Sequence, residues 1–164
     1  MQEARERELV RRRRRRPEAA RGGRELRRRN EAHGEDYGQA LIDGPGGTLE
    51  FAPFTVTHGN IDALGFRFDD IVYLPDVSAI PEDCWPMMDN LRCWIVDALR
   101  RDPHPTHSHL AQTLEWVARV APQTAVLTNM HNDLDYRTVA AETPDHIQPA
   151  YDGLTLHFPL PHSD

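Results

Sequence analysis

The chain has 164 residues, enough for one domain with a real core and too few for a second of ordinary size. Its charge is divided: residues 1–36 hold 13 of the 19 arginines against 8 acidic residues, and the remainder holds 6 arginines against 18 acidic residues. A globular portion this acidic repels a phosphate backbone unless cations offset it, no apolar run reaches membrane-spanning length, and no apolar segment follows the basic stretch as a secretory signal requires.

Residues 1–40 form a low-complexity arm, disordered or helical, that is not expected to belong to the fold. Six consecutive arginines at 11–16 and three at 27–29 leave Leu9, Val10 and Leu26 as almost the only large apolar side chains, too few to offset the entropy of ordering. Such clusters supply phosphate contacts, so nucleic acid is a partner only through this arm. Without an aromatic inside the arginine runs or an apolar stripe, a solvated tail is the better reading and no membrane partner is expected. Nineteen arginines with no lysine indicate a GC-rich coding sequence, and the arm is expected to come from a shifted frame or a misplaced start.

Residues 41–164 read as the globular part. GPGG at 44–47 is a turn ahead of a strand in TLEFAPFTV, which Pro53 places at an edge or a bulge. LGFRF at 64–68 and IVYL at 71–74 make a tight hairpin across Asp69 and Asp70, so Asp76 leaves the second strand at its end. CWIVDAL at 93–99 has the apolar continuity of a doubly buried strand, and Asp97 within it demands a reason. A helix follows over about Ser108–Val120, with Leu110, Leu114 and Val117 on one face and Pro122 as its stop. TAVLT at 124–128 is another buried strand, followed by a helix over about Tyr136–Glu142 and a last strand over about Leu154–Phe158. Strands first, then strand, helix, strand, helix, strand, predict a mixed α/β fold with helices packed on a sheet. Cys84 and Cys93, with neither a secretory signal nor a CxxC partner, read as reduced, buried thiols of a cytoplasmic protein.

Three polar residues stand where a strand gives way to a loop: His58 in VTHGN, Asp76 in YLPDVS and His131 in LTNMHND. A rigid strand end fixes a ligand while leaving its outer side open, and imidazole with carboxylate suits zinc, manganese or iron. Singly, each has a plainer explanation as a turn or loop residue, and separations of 18 and 55 residues satisfy no short motif. In PHPTHSHL, His104, His107 and His109 precede the main helix, whose N-terminus favours an anion such as a phosphate oxygen. His107 there suits proton donation to a leaving oxygen; alternatively Thr106 or Ser108 caps the helix and the histidines sit at the surface.

These blocks resemble a known family. HGNIDALGFRF, YLPDVSAIP, DALRRDPHPTHSHLAQTLEW, LTNMHNDLDY and PAYDG follow the order and spacing of the C-terminal half of a metallo-β-lactamase-fold hydrolase, of the branch that includes phosphoribosyl cyclic phosphodiesterase. The resemblance covers about Ile42 to Phe158 and implies an αββα sandwich truncated to its C-terminal half. It implies metal ligands at His58, Asp76 and His131, with Asp76 bridging two divalent ions, zinc or manganese. His107 would be the general acid, Asp97 a residue supporting the site, and the substrate a small phosphodiester attacked by a metal-bridging hydroxide.

The family's His-x-His-x-Asp-His motif has no counterpart: His33 is the only histidine before His58. The resemblance therefore implies an incomplete pair of metal sites and an exposed sheet face that invites pairing with another copy of the chain. Three readings follow. The chain is the surviving half of a phosphodiesterase, weakly active or inactive alone; or a non-catalytic remnant; or a nucleic-acid-associated module working through its basic arm.

Overall fold

A computed structural model of the chain describes residues 38–158. The expectation of a separate arginine-rich arm falls almost wholly outside the described residues.

The strand β1 (Ala40–Gly44) forms a hairpin with β2 (Gly47–His58) around the GPGG turn, where Gly47 has φ 116°. The β1 pairing stops at Phe51, and from Ala52 onward β2 pairs with β3 (Ile61–Phe68) as far as His58 opposite Ile61. Pro53 thus lies beyond the end of the ladder toward β1, which agrees with its expected edge position. Strand β4 (Ile71–Leu74) closes the predicted hairpin on β3, with Asp69 at φ 54° in a left-handed conformation that a short polar residue tolerates.

After β4 the sheet becomes parallel. β5 (Cys93–Asp97), β6 (Thr124–Thr128) and β7 (Ile147–Pro149) add in sequence, giving seven strands in chain order among the described residues. The crossovers carry a 3-10 segment (Glu82–Met88), then α1 (Leu110–Val120), then α2 (Tyr136–Glu142). This is the mixed α/β architecture expected from the order of elements.

Two boundaries differ from the sequence reading. The last strand is Ile147–Pro149, and residues 154–158 form no strand: the alternation in LTLHF looks strand-like, but the sheet's last edge is already occupied by the shorter segment. Helix α1 begins at Leu110, not Ser108, and neither Thr106 nor Ser108 caps it. An extended stretch runs through His109, whose isolated bridge to Arg100, with Leu99 N–H donating to Ser108 O at 3.0 Å, holds the chain off the helix axis until Leu110. The stop is as expected, since Ala121 caps α1 in the left-handed region at φ 50° and Pro122 follows. Asp135 caps α2 by accepting from Thr138 N–H at 2.9 Å.

The core lies between one sheet face and the helices. Phe54, Val56, Val72, Leu74, Trp94, Val96, Ala125 and Leu127 project there at alternate positions and cluster with Leu110 and Val117 of α1 and Val139 of α2. Each fully buried large side chain contributes about 1.5–3 kcal/mol, so this layer is the main force holding the helices to the sheet. Gly65 leaves the space that the Phe54 ring fills. Among the described residues nothing covers the opposite face. Ala40, Ile42, Phe51, Phe66, Phe68, Tyr73 and Ile95 line an apolar groove of about 330 Å³, with Ile42 57% and Tyr73 41% exposed. Both cysteines are buried and free, and among the described residues no helix is long and apolar enough to cross a membrane.

Candidate metal centre

The site forms where the ends of β2, β4 and β5 meet the loop before α1. His58 is the last residue of β2. Beyond β4 the chain turns back on β2: Ser78 N–H donates to Thr57 O at 2.8 Å, Thr57 N–H to Ala79 O at 3.1 Å, and Gly59 N–H to Ser78 Oγ at 3.0 Å. Gln112 Nε2 of α1 holds the same segment by donating to Ser78 O at 3.1 Å. These bonds set Asp76 beside His58, although 18 residues separate them.

Gly59 brings in the third group. At φ 68° it occupies a region that side chains avoid, and a Cβ there would lie 2.6 Å from Thr106 Cγ2 and 3.3 Å from Pro105 O. Its bareness lets the turn after His58 rest against the loop that ends in His107.

The charge of Asp97 inside an apolar strand has its reason in this site. It ends β5, is fully buried, and accepts at Oδ2 from His107 Nδ1 at 2.8 Å and from Val77 N–H at 3.4 Å, and at Oδ1 from Asn129 Nδ2 at 3.3 Å. Its backbone oxygen accepts from the Ser108 and Thr113 hydroxyls at 2.8 and 2.7 Å, which fastens the start of α1 to the strand end. Burial raises the Asp97 carboxyl above the usual range; the His107 contact, Val77 N–H and Asn129 oppose that rise. The carboxylate fixes the proton of His107 on Nδ1 and leaves Nε2 with its lone pair.

Among the described residues, His58, Asp76 and His107 offer ligand atoms that all lie within 4.8 Å of one another. The His58 and His107 rings meet edge to face with centroids 4.5 Å apart, and His107 Nδ1 is 4.0 Å from Asp76 Oδ1. The Asp76 side chain is 51% exposed, so the group opens to solvent on its side. Nδ1 of His58 is buried with no hydrogen-bond partner among the described residues. Two imidazoles and a carboxylate within 4.8 Å of one another are a donor set that fits one zinc, manganese or iron ion. Three groups are too few for two ions.

His131 stands apart from this group. Its backbone N–H donates to Leu99 O at 2.7 Å, and its 59% exposed ring pairs through Nδ1 with Asp133 Oδ1 at 2.9 Å. That hydrogen bond is the main cause holding the Asp133 carboxyl below its usual value. His104 lies beside the site with its ring 5.4 Å from that of His107, and its Nδ1 contacts Thr106 N and Oγ1 at 3.3 and 3.2 Å. His109 is the N-cap residue of α1, its Nδ1 3.2 Å from Gln112 Oε1. The first helical N–H, of Leu110, is bonded to Arg100 O at 2.8 Å, so this terminus offers an anion less than the sequence suggests.

The sequence reading missed Asn129, the first residue after β6. Its backbone is left-handed at φ 59°, and its amide lies 3.2 Å from His107 Nδ1 as well as bonding Asp97. The strand-end rule that singles out His131 two residues later points equally at Asn129.

A family model described as the β-lactamase superfamily domain matches residues 6–130. Among solved structures, the fold is similar to that of a diphosphatase from the PhnP family, with TM-score 0.70 and 32% identity over 77% of this chain and 48% of that one. It is also similar to human tRNase Z, short form, at TM-score 0.56 and 18% identity over 74% of this chain and 48% of that one. Zinc-bound PqqB from Methylobacterium extorquens gives TM-score 0.56 and 15% identity over 73% of this chain and 53% of that one. An octanoyltransferase of Porphyromonas gingivalis is 25% identical over 108 residues, 65% of this chain and 22% of that protein. The chain thus spans about half the length of these solved structures and under a quarter of that curated relative.

Proposed function

The chain belongs to the β-lactamase superfamily, and from that premise we propose that it is the metal-binding C-terminal half of a phosphodiester hydrolase, weakly active or inactive without a complementary half. The observation that carries this reading is the convergence of His58, Asp76 and His107 at one group of strand ends. The likeness to the diphosphatase supports a substrate with a phosphoryl centre.

A bound zinc or manganese ion supplies charge to a phosphoryl oxygen and lowers the pKa of water. The protein's own residues do the rest. His58 and Asp76 would hold the cation at the strand ends, and the exposed side of Asp76 would admit substrate. In a completed site His107, protonated at Nε2 and steadied by Asp97 through Nδ1, would deliver a proton to the departing oxygen. His131, paired with Asp133, is the ligand we assign to a second ion there, and it has no use until the other half brings further ligands. Free buried thiols support a cytoplasmic location.

Hydrolysis of bis-p-nitrophenyl phosphate by the purified chain, with metal content measured on the same sample, tests the proposal. The expected result is turnover close to background with fewer than two ions per chain. Brisk turnover with two tightly held ions would refute the half-site reading.

A further inference from the structure

We propose that this chain alone binds one divalent cation, not two, and that His107 serves as its third ligand beside His58 and Asp76. The inference rests on the metal-binding reading above and adds the identity of the ligands. His58 and Asp76 alone would hold a cation poorly, because two monodentate groups leave it largely hydrated and quick to dissociate. The described residues bring a single further donor into the group, the His107 imidazole.

The tie between His107 and Asp97 has the form that ligating histidines take: one ring N–H donated to a buried carboxylate, the other nitrogen left as a lone pair. Asp97 is itself held by Val77 N–H and Asn129, so the ring is oriented before any ion arrives. His58 contributes one ring nitrogen within 4.8 Å of the other two donors, and its ring already packs edge to face with that of His107. His131 lies outside the group with Asp133 on its Nδ1, and the Nδ1 of His104 is engaged with Thr106. Two imidazoles and one carboxylate would then hold the ion, with its remaining positions left to water. The binding has a functional consequence. Coordination uses the lone pair that must carry a proton if His107 is to act as an acid, so the loaded chain lacks its proton donor.

The test is titration of the full-length, chelator-treated chain with Co2+, followed by visible absorption, with Zn2+ as competitor. One equivalent is expected. His58→Ala, Asp76→Asn and His107→Ala should each weaken binding about tenfold or more, Asp97→Asn by about 10–100-fold, and His131→Ala by less than about twofold. Circular dichroism checks that each variant is folded. In case His107→Ala does not fold, proton NMR of the Co2+-loaded wild-type chain serves as well: two imidazoles should show contact-shifted resonances, and both should persist in His131→Ala. Unchanged Co2+ affinity in folded His107→Ala, loss of a shifted imidazole in His131→Ala, or a second equivalent of similar affinity would overturn the ligand assignment while leaving the metal reading intact. Failure of the wild-type chain to bind either ion would remove both.

Discussion

Replacing Gly59 with alanine tests whether the close approach of two loops builds the site. Two costs add. An L-residue at φ 68° is disfavoured by about 1–2 kcal/mol, of which about 0.4–1 is returned because alanine restricts the unfolded chain. The new methyl would sit 2.6 Å from Thr106 Cγ2, about 1 Å inside ordinary carbon contact, and overpacking of that kind costs about 1–3 kcal/mol. Thr106 cannot turn away freely, since its hydroxyl contacts His104 Nδ1 at 3.2 Å. A loss of about 2–4 kcal/mol is therefore expected in urea denaturation, seen as a lower midpoint at constant slope. Thr106→Ser deletes the obstructing methyl and keeps the hydroxyl. Alone it should cost less than about 1 kcal/mol. Combined with Gly59→Ala it should recover the overlap and leave the backbone cost of about 1 kcal/mol, together with most of the Co2+ affinity that Gly59→Ala removes. If the two substitutions instead add within about 0.5 kcal/mol, the contact between the turn after His58 and the His104–His107 loop is not what Gly59 serves.

Two further outcomes rest on separate features. Ala121 caps α1 at φ 50°, so Ala121→Gly should relieve its strain, stabilise the chain by about 0.5–1 kcal/mol and raise its melting temperature by about 1–4 °C; an unchanged or lower value would contradict the cap geometry. Burial, followed by the nearby Asp83 and Asp70 charges respectively, pushes the Cys84 thiol up to about 12 and that of Cys93 up to about 11, from 9.0. In the folded chain at pH 8 the Cys93 thiolate is thus about 100-fold scarcer than in an unfolded one, and thiol reagents should modify it at least that much more slowly. The sign for stability follows: the unfolded chain releases these protons from about pH 9 while the folded chain keeps them, so stability should fall as pH rises from 9 through 11–12. Fast labelling of native protein, or rising stability across that window, would count against the buried placement of both thiols.

Local pattern carried much of the fold. The β3–β4 hairpin, the parallel strands β5 and β6, and α2 at Tyr136–Glu142 each have enough periodicity, or turn residues placed closely enough, to be read without tertiary information. Strand β7 does not. It is three residues with one aliphatic side chain and a proline, and it exists because Ile147, Gln148 and Pro149 lie in register with β6. LTLHF, with better alternation, has no such neighbour. The start of α1 departs from local pattern for a related reason. Ser108 looks like a cap in one dimension, but its hydroxyl is turned onto Asp97 O, a contact between residues 11 apart that no capping rule anticipates.

The site was legible in its members more than in its grouping. Strand-end position selected His58, Asp76 and His131 alike, because the rule says where ligands can stand and not which of them meet. What groups them is tertiary. Backbone bonds between Ser78 and Thr57 carry Asp76 to His58, the bare Gly59 admits the loop of His107, and Asp97 turns that ring inward. The role of His107 is the sharpest example. A histidine ahead of a helix reads as acid, cap or surface residue with equal ease, and the choice depends on which nitrogen is free. Asp97 decides that, from the end of an apolar strand where its charge looks misplaced until His107 is seen beside it. In the proposed site, the buried Asp97 carboxylate orients the one imidazole that, among the described residues, joins His58 and Asp76.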